Sequence, residues 1–177
     1  MNEQKYPLSM RFMHWTMAIL ILCMLVIGFY MANFMDRDAP NRMEVYNLHK
    51  SIGALLLILV ALRIFVRLIK SAPPLPDTID NVTQCLAHLG HLALYVLMIA
   101  MPISGYLMST FFGFPVHMFG IPLPVLVGIN PEMGKICAEA HEILGIAFVV
   151  VLVAHVGAVI KHKFFDIPEN DILNRML

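Results

Sequence analysis

The sequence predicts an all-α integral membrane protein, a single bundle of four spanning helices. Two observations carry that prediction. Of the 177 residues, 59% are hydrophobic and only 14% charged, with a mean hydropathy of +0.77. A water-soluble domain of this size needs more polar surface. The apolar residues also gather into four runs, at about residues 10–33, 46–69, 83–112 and 136–163. Each run is long enough to cross a hydrocarbon layer of about 30 Å, with length to spare for tilt.

The first run starts beside Ser9, a residue type that caps helices, and carries His14 and Trp15 near its start. It is too long for the core of a cleavable signal and lacks a small-residue cleavage site, so it is expected to stay as an anchor. A short stretch of mixed charge, 34–45, leads to the second run. That run has His49 near its start and Arg63 and Arg67 near its end. The stretch KSAPPLPDTIDNV that follows is proline-rich and reads as an extended loop. The third run holds AHLGH and later Pro102 and Gly105, where a kink is expected and a membrane helix tolerates one. Residues 113–135, with GFPVHMFGIPLPVLVG, are apolar yet full of glycine and proline. They are expected at the membrane interface, folded over the end of the bundle. The fourth run, AHEILGIAFVVVLVAHVGAVIKH, has a histidine near each end.

Lysine and arginine set the orientation. Lys5, Arg11, Arg63, Arg67, Lys70, Lys161, Lys163 and Arg175 fall on one side, and Arg37, Arg42, Lys50 and Lys135 on the other. The excess places both termini in the cytoplasm. Tyr6 and Trp15 suit an inner interfacial belt, and Tyr30, Tyr46 and Tyr106 an outer one. A formal net charge of zero gives no reason to expect nucleic acid. Cys23, Cys85 and Cys137 show no paired spacing and read as small apolar fillers. No CxxCH occurs, so any haem is held without thioether links.

The histidines sort by depth. His141 and His155 lie fourteen residues apart. That separation is about 21 Å along a helix axis, with the two side chains within roughly 40° of each other. An imidazole inside the membrane is a functional hypothesis by default. His14 and His155 share the inner level on the first and fourth runs. His49 and His141 share the outer level on the second and fourth. Two imidazoles at one depth on facing helices are what bis-histidine ligation of b-type haem needs. HxxxG follows both His49 and His141, placing Gly53 and Gly145 one turn along the same face, where a porphyrin edge or a helix neighbour has room. The fourteen methionines are scattered through every span and read as packing. His88 and His91, at i and i+3 on the third run, are spare candidates for the inner ligand set. His162, His91, Arg67 and Lys70 form a candidate quinone site beside the inner haem, although Arg67 and Lys70 equally suit lipid headgroups. His117 lies in the outer loop, incidental or bordering the outer haem.

With RFMHW, LHKSIG, LAHLGHLALY, AHEILG…AH and ENDILNRM in place, the chain resembles the bacterial cytochrome b561 family over almost its whole length. These are four-helix di-haem membrane proteins, of which the superoxide oxidase is the best understood. The fold is similar to that of the cytochrome b subunits of membrane-bound hydrogenases and formate dehydrogenases. The resemblance implies two haem b groups, with His14 paired to His155 and His49 to His141. It implies ubiquinone near the inner haem, with His162 at the matching position, and a bacterial inner-membrane location. In the family a positive outer surface draws superoxide. Here Arg37, Arg42, Lys50 and Lys135 are the candidates, diluted by Asp36, Asp38 and Glu44. The expected function is electron transfer from an outer donor, superoxide or another periplasmic donor, to ubiquinone at the inner haem, as in a superoxide:ubiquinone oxidoreductase. A haem b redox subunit docked to a dehydrogenase or hydrogenase, a homodimer, and a non-haem metal or proton transporter are the alternatives. No acid–base or nucleophile motif is present, as expected where a cofactor carries the chemistry.

Overall fold

A computed structural model describes residues 5–177. Four long helices dominate: α1 Leu8–Asn33, α2 Arg42–Ile69, α3 Asn81–Phe111 and α4 Pro131–Phe164. All four are long and apolar enough to cross a membrane. Many of their large apolar side chains, such as Leu22, Val26, Leu62, Val96 and Val153, are exposed. Lipid tolerates that arrangement and water does not. The chain is a multi-pass membrane protein.

Local chemistry explains the helix ends. The first turn of α1 begins after Pro7, whose carbonyl accepts from the amides of Met10 at 2.9 Å and Arg11 at 3.1 Å. Ser9 is not the cap expected of it. It lies inside the first turn, and its hydroxyl accepts from Lys70 Nζ at 3.0 Å, joining the start of α1 to the end of α2. Asp80 caps α3, accepting from the amide of Thr83 at 3.0 Å and its hydroxyl at 2.6 Å. Those bonds hold the exposed carboxyl below its ordinary value, the Thr83 hydroxyl contributing most. α4 starts before its apolar run because Asn130 caps it, accepting from the Met133 amide at 3.2 Å, and Pro131 supplies the preset first turn. α3 runs unbroken through Pro102.

The helices pack in series, α1 on α2, α2 on α3 and α3 on α4. Met17, Ile21, Val60, Leu97 and Phe148 form the buried centre. One departure from an all-helical chain lies between α3 and α4. Strands β1, His117–Met118, and β2, Ile121–Pro122, pair antiparallel. Phe119 (φ 50°) and Gly120 (φ 90°) turn the hairpin, with the positive φ at both central residues that a tight hairpin turn demands. Tyr106 pins the rest of this loop. Its hydroxyl donates to the Pro124 carbonyl at 2.5 Å and accepts from the Leu126 amide at 3.2 Å. Its role is thus to hold the loop, beyond the interfacial anchoring expected of it.

The stretch after α4 contains a short 3₁₀ turn, Pro168–Asn170, and folds back to the start of α1. The carbonyl of Arg175 accepts from the Tyr6 amide at 3.0 Å, and that of Met176 from Trp15 Nε1 at 2.9 Å. The Leu177 carbonyl accepts from Arg11 Nη2. Asn170 Oδ1 accepts from the Thr78 hydroxyl at 2.5 Å, tying in the α2–α3 loop.

Candidate functional site

Two histidine pairs face each other across the bundle. His49 of α2 and His141 of α4 have ring centroids 6.3 Å apart. His14 of α1 and His155 of α4 are also 6.3 Å apart. These separations can be tested against ligation. Two metal–nitrogen bonds of about 2.0 Å, each followed by roughly 1.1 Å from nitrogen to ring centre, put trans imidazoles about 6.2 Å apart. Both pairs fit one metal ion held between them. His91 of α3 lies 5.6 Å from His155, edge-on. That is shorter than the separation of either facing pair. His88 is exposed, with Nδ1 turned to the Gln84 carbonyl of its own helix at 2.7 Å.

At the His49–His141 pair the local bonding fixes which nitrogen of His141 carries the proton. Its Nδ1 lies 3.0 Å from the Met101 carbonyl and 3.0 Å from Ser104 Oγ. Ser104 itself donates to the same carbonyl at 2.8 Å. A carbonyl only accepts, so Nδ1 carries the ring proton and Nε2 keeps its lone pair. Across the pair, His49 Nδ1 is buried with no hydrogen-bond partner. A buried polar atom left so is costly and asks for an explanation. A cavity of about 570 Å³ is lined by both rings, with Gly28, Tyr46, Lys50, Gly53, Gly105 and the loop residues Val116, Met118 and Leu123. That volume is in the range of cofactor pockets.

Glycines make the space. A Cβ on Gly105 would sit 2.8 Å from His141 Cε1, and one on Gly28 3.5 Å from His49 Cε1. From sequence Gly105 reads only as part of a kink, and nothing in residue type marks Gly28. Of the two glycines in HxxxG, Gly53 lines the cavity, whereas a Cβ on Gly145 would meet Met101 at 3.3 Å. Gly145 therefore serves the α3–α4 contact.

The inner pair has a different neighbourhood. Arg63 Nη2 lies 3.2 Å from His14 Nδ1, and Arg63 Nε donates to the Tyr95 hydroxyl at 3.3 Å. A guanidinium only donates, so this contact leaves the His14 proton on Nε2. A ring that ligates through Nε2 has its proton on Nδ1, and Arg63 must then turn to another acceptor. Among the described residues Arg63 has no carboxylate partner. Trp15 lies edge-on to His14, 5.2 Å between centroids.

The four residues expected at a quinone site are not joined by any hydrogen bond or ring contact among the described residues. His91 packs on His155, and Lys70 bonds Ser9. Arg67 is exposed on the last turns of α2. His162 is buried, 6% exposed, and its Nδ1 meets Asp166 Oδ2 at 2.7 Å. The Asp166 carboxyl is held below its ordinary value by the Ile167 amide first and by His162 next. Burial would raise Asp171, but Lys163 Nζ, 2.5 Å away, and the amides of Asn174 and Leu173 together outweigh it and the carboxyl is held low. At the outer end Lys50 lies over the Phe114 ring, 5.7 Å to its centre. Arg42 lies over the Tyr46 ring and donates to the Arg37 carbonyl at 2.9 Å. Lys135 pairs with Glu132 at 3.3 Å. The His117 side chain is exposed, and what it contributes is its backbone carbonyl, bonded to Ser51. No three His, Cys, Asp or Glu side chains converge as a bare-metal site among the described residues.

A family model described as prokaryotic cytochrome b561 matches residues 5–177. Cytochrome b561 homolog 2 of Escherichia coli strain K12 is 35% identical over 178 residues, covering 99% of this chain and 93% of the relative. Probable superoxide oxidase CybB of Yersinia pestis is 25% identical over 174 residues, covering 98% and 97%. Cytochrome b561 homolog 1 of Escherichia coli strain K12 is 20% identical over 165 residues, covering 93% of each.

Proposed function

The chain belongs to the prokaryotic cytochrome b561 family of electron-transferring, haem-binding helical bundles, and from that premise we propose that it carries electrons across the bacterial inner membrane through two b-type haems to ubiquinone. His49 and His141 hold the outer haem, and His14 and His155 the inner one. Both termini face the cytoplasm. The observation that carries this reading is the shared 6.3 Å separation of two imidazole pairs at two depths. When bound, haem supplies one-electron chemistry whose potential the ligands and their surroundings set. Met101 and Ser104 fix the His141 tautomer. Gly28 and Gly105 leave room for a planar group against the imidazoles. Arg63 supplies positive charge beside the inner pair.

Superoxide is the proposed donor. The likeness to the probable superoxide oxidase of Yersinia pestis supports it, and so does Lys50, which lines the outer cavity and has no carboxylate partner among the described residues. His162, with Asp166 behind it, supplies a proton-bearing group for ubiquinone at the inner end, and Arg67, Lys70 and His91 are the further candidates at that end. The test is a haem count by pyridine haemochrome on the purified protein. Two per chain are expected, with one lost in His49→Ala or His141→Ala, the other in His14→Ala or His155→Ala, and both kept in His91→Ala. A colourless protein, or loss of ligation in His91→Ala with His14→Ala intact, overturns the assignment. Superoxide mixed with protein and ubiquinone is expected to give quinone-dependent haem turnover. Its absence removes superoxide as donor.

A further inference from the structure

We propose that Ser51 is a positioning residue for the outer site: its hydroxyl clamps the 117–122 hairpin in place as the wall that keeps water from the His49–His141 pair and so sets the potential of that centre. The inference rests on the reading that these two histidines hold the outer haem.

Ser51 follows His49 by two residues on α2 and is 5% exposed. A serine inside a membrane helix ordinarily returns its hydroxyl to a carbonyl of the preceding turn. Ser51 does otherwise. It donates to the His117 carbonyl at 3.0 Å and accepts from the Phe119 amide at 3.1 Å. One hydroxyl thus grips β1 and the first residue of the turn.

The hairpin needs that grip. Its ladder is two residues per strand, far short of what stands alone. Phe119 holds φ at 50°, in the left-handed region that disfavours a residue with a side chain. The segment keeps this shape because α2 holds it. Its inward side chains then become a wall. Val116, 4% exposed, lines with Met118 and Leu123 the same cavity that His49 and His141 line. The Leu123 amide donates to the Val116 carbonyl at 3.0 Å, closing the wall on itself.

The apolar shell of a metal site controls solvent access, and with it the redox potential. Water stabilises the more highly charged oxidised form, so a loosened wall lowers the potential of the outer centre and leaves the inner one alone.

The experiment uses the full chain, haem-loaded, in lipid nanodiscs. In Ser51→Ala, hydrogen exchange over residues 114–126 is expected to speed up. A spectroscopic redox titration is expected to show one of two steps displaced to lower potential and the other unmoved. Ser51→Thr keeps a hydroxyl and is expected to keep the wild-type exchange and titration. Leu123→Ala thins the same wall without touching the clamp, and is expected to displace the same step in the same direction. It decides the matter should Ser51→Ala fail to fold. Unchanged exchange in Ser51→Ala, faster exchange with both steps in place, or equal displacement of both steps overturns the inference. A wild-type count of one haem per chain overturns the two-haem reading and the inference together, and stoichiometry alone tells that failure apart.

Discussion

Replacing Gly105 by alanine sets two effects of opposite sign against each other. The new Cβ would stand 2.8 Å from His141 Cε1 and 3.1 Å from Nδ1. Ordinary carbon contacts lie at roughly 3.5–4.0 Å, so the ring must retreat by about 0.7–1.2 Å. It has no free direction to do so, because its Nδ1 is tied to Met101 and Ser104 at 3.0 Å each. Lengthening those contacts by that much takes them beyond hydrogen-bonding range. Overpacking of this kind costs about 1–3 kcal/mol. Alanine in place of glycine inside a helix returns up to about 1 kcal/mol. The bundle should therefore fold with little net change, while the outer site loses its ligand geometry. Losing the partners that orient a metal ligand typically weakens binding by about 10–100-fold. A haemochrome count falling from two towards one per chain, with far-ultraviolet circular dichroism unchanged, is the expected result. Gly157→Ala is the control, since nothing lies within 4 Å of its added Cβ. Full haem content in Gly105→Ala, with the reduced spectrum unaltered, would refute the claim that Gly105 makes room for a ligating ring.

Arg63→Ala removes the cation beside His14 and Tyr95. A unit charge within about 8 Å, at an effective dielectric near 20, is worth about 2 kcal/mol, or about 90 mV for one electron. A redox titration should show the inner step falling by that order, and a step that stays put would exclude Arg63 as its tuner. Acid should release the returning C-terminal stretch. Asp166 and Asp171 titrate below their ordinary value of 3.8 in the folded chain. Their stabilisation is complete above that value and disappears as the pH drops through the lower folded-state values. Trp15, the single tryptophan, reports the stretch through its bond to Met176. Its emission should hold steady from pH 7 to 5 and change only in the acid range below the ordinary carboxylate value. A transition centred between pH 5 and 7 would assign control to an imidazole instead.

The four helices were legible because lipid-facing segments must be apolar all round, and that requirement writes itself into every residue of a run. The depth matching of His14 with His155 and of His49 with His141 was legible because helix rise is a fixed number. Contacts between elements were not. Ser9 has the chemistry of a cap, but the helix starts at Leu8, one residue before it, and its hydroxyl meets Lys70 instead. The hairpin carries no Asn-Gly or Asp-Gly signal, and Phe119, at positive φ, bonds across to Ser51 of α2. A glycine in an apolar run gives no hint of what it faces, so Gly28 and Gly105 passed unnoticed as neighbours of imidazoles. His162, Arg67, Lys70 and His91 share an end of the bundle in sequence terms, but distance along a helix does not say which way each side chain turns. The ENDILNRM stretch has no periodicity, and its backbone bonds to Tyr6 and Trp15 left no mark in residue type.

α4 alone carries one ligand of each proposed pair. Sliding or tilting that helix moves both nitrogens together, so the interval between the two centres is fixed by covalent structure. The thirteen residues between His141 and His155 act as a ruler. Substitutions along it change grip and shape. Adding or deleting one residue swings one imidazole about 100° out of line with the other, so the length of this segment is bound more tightly than its composition.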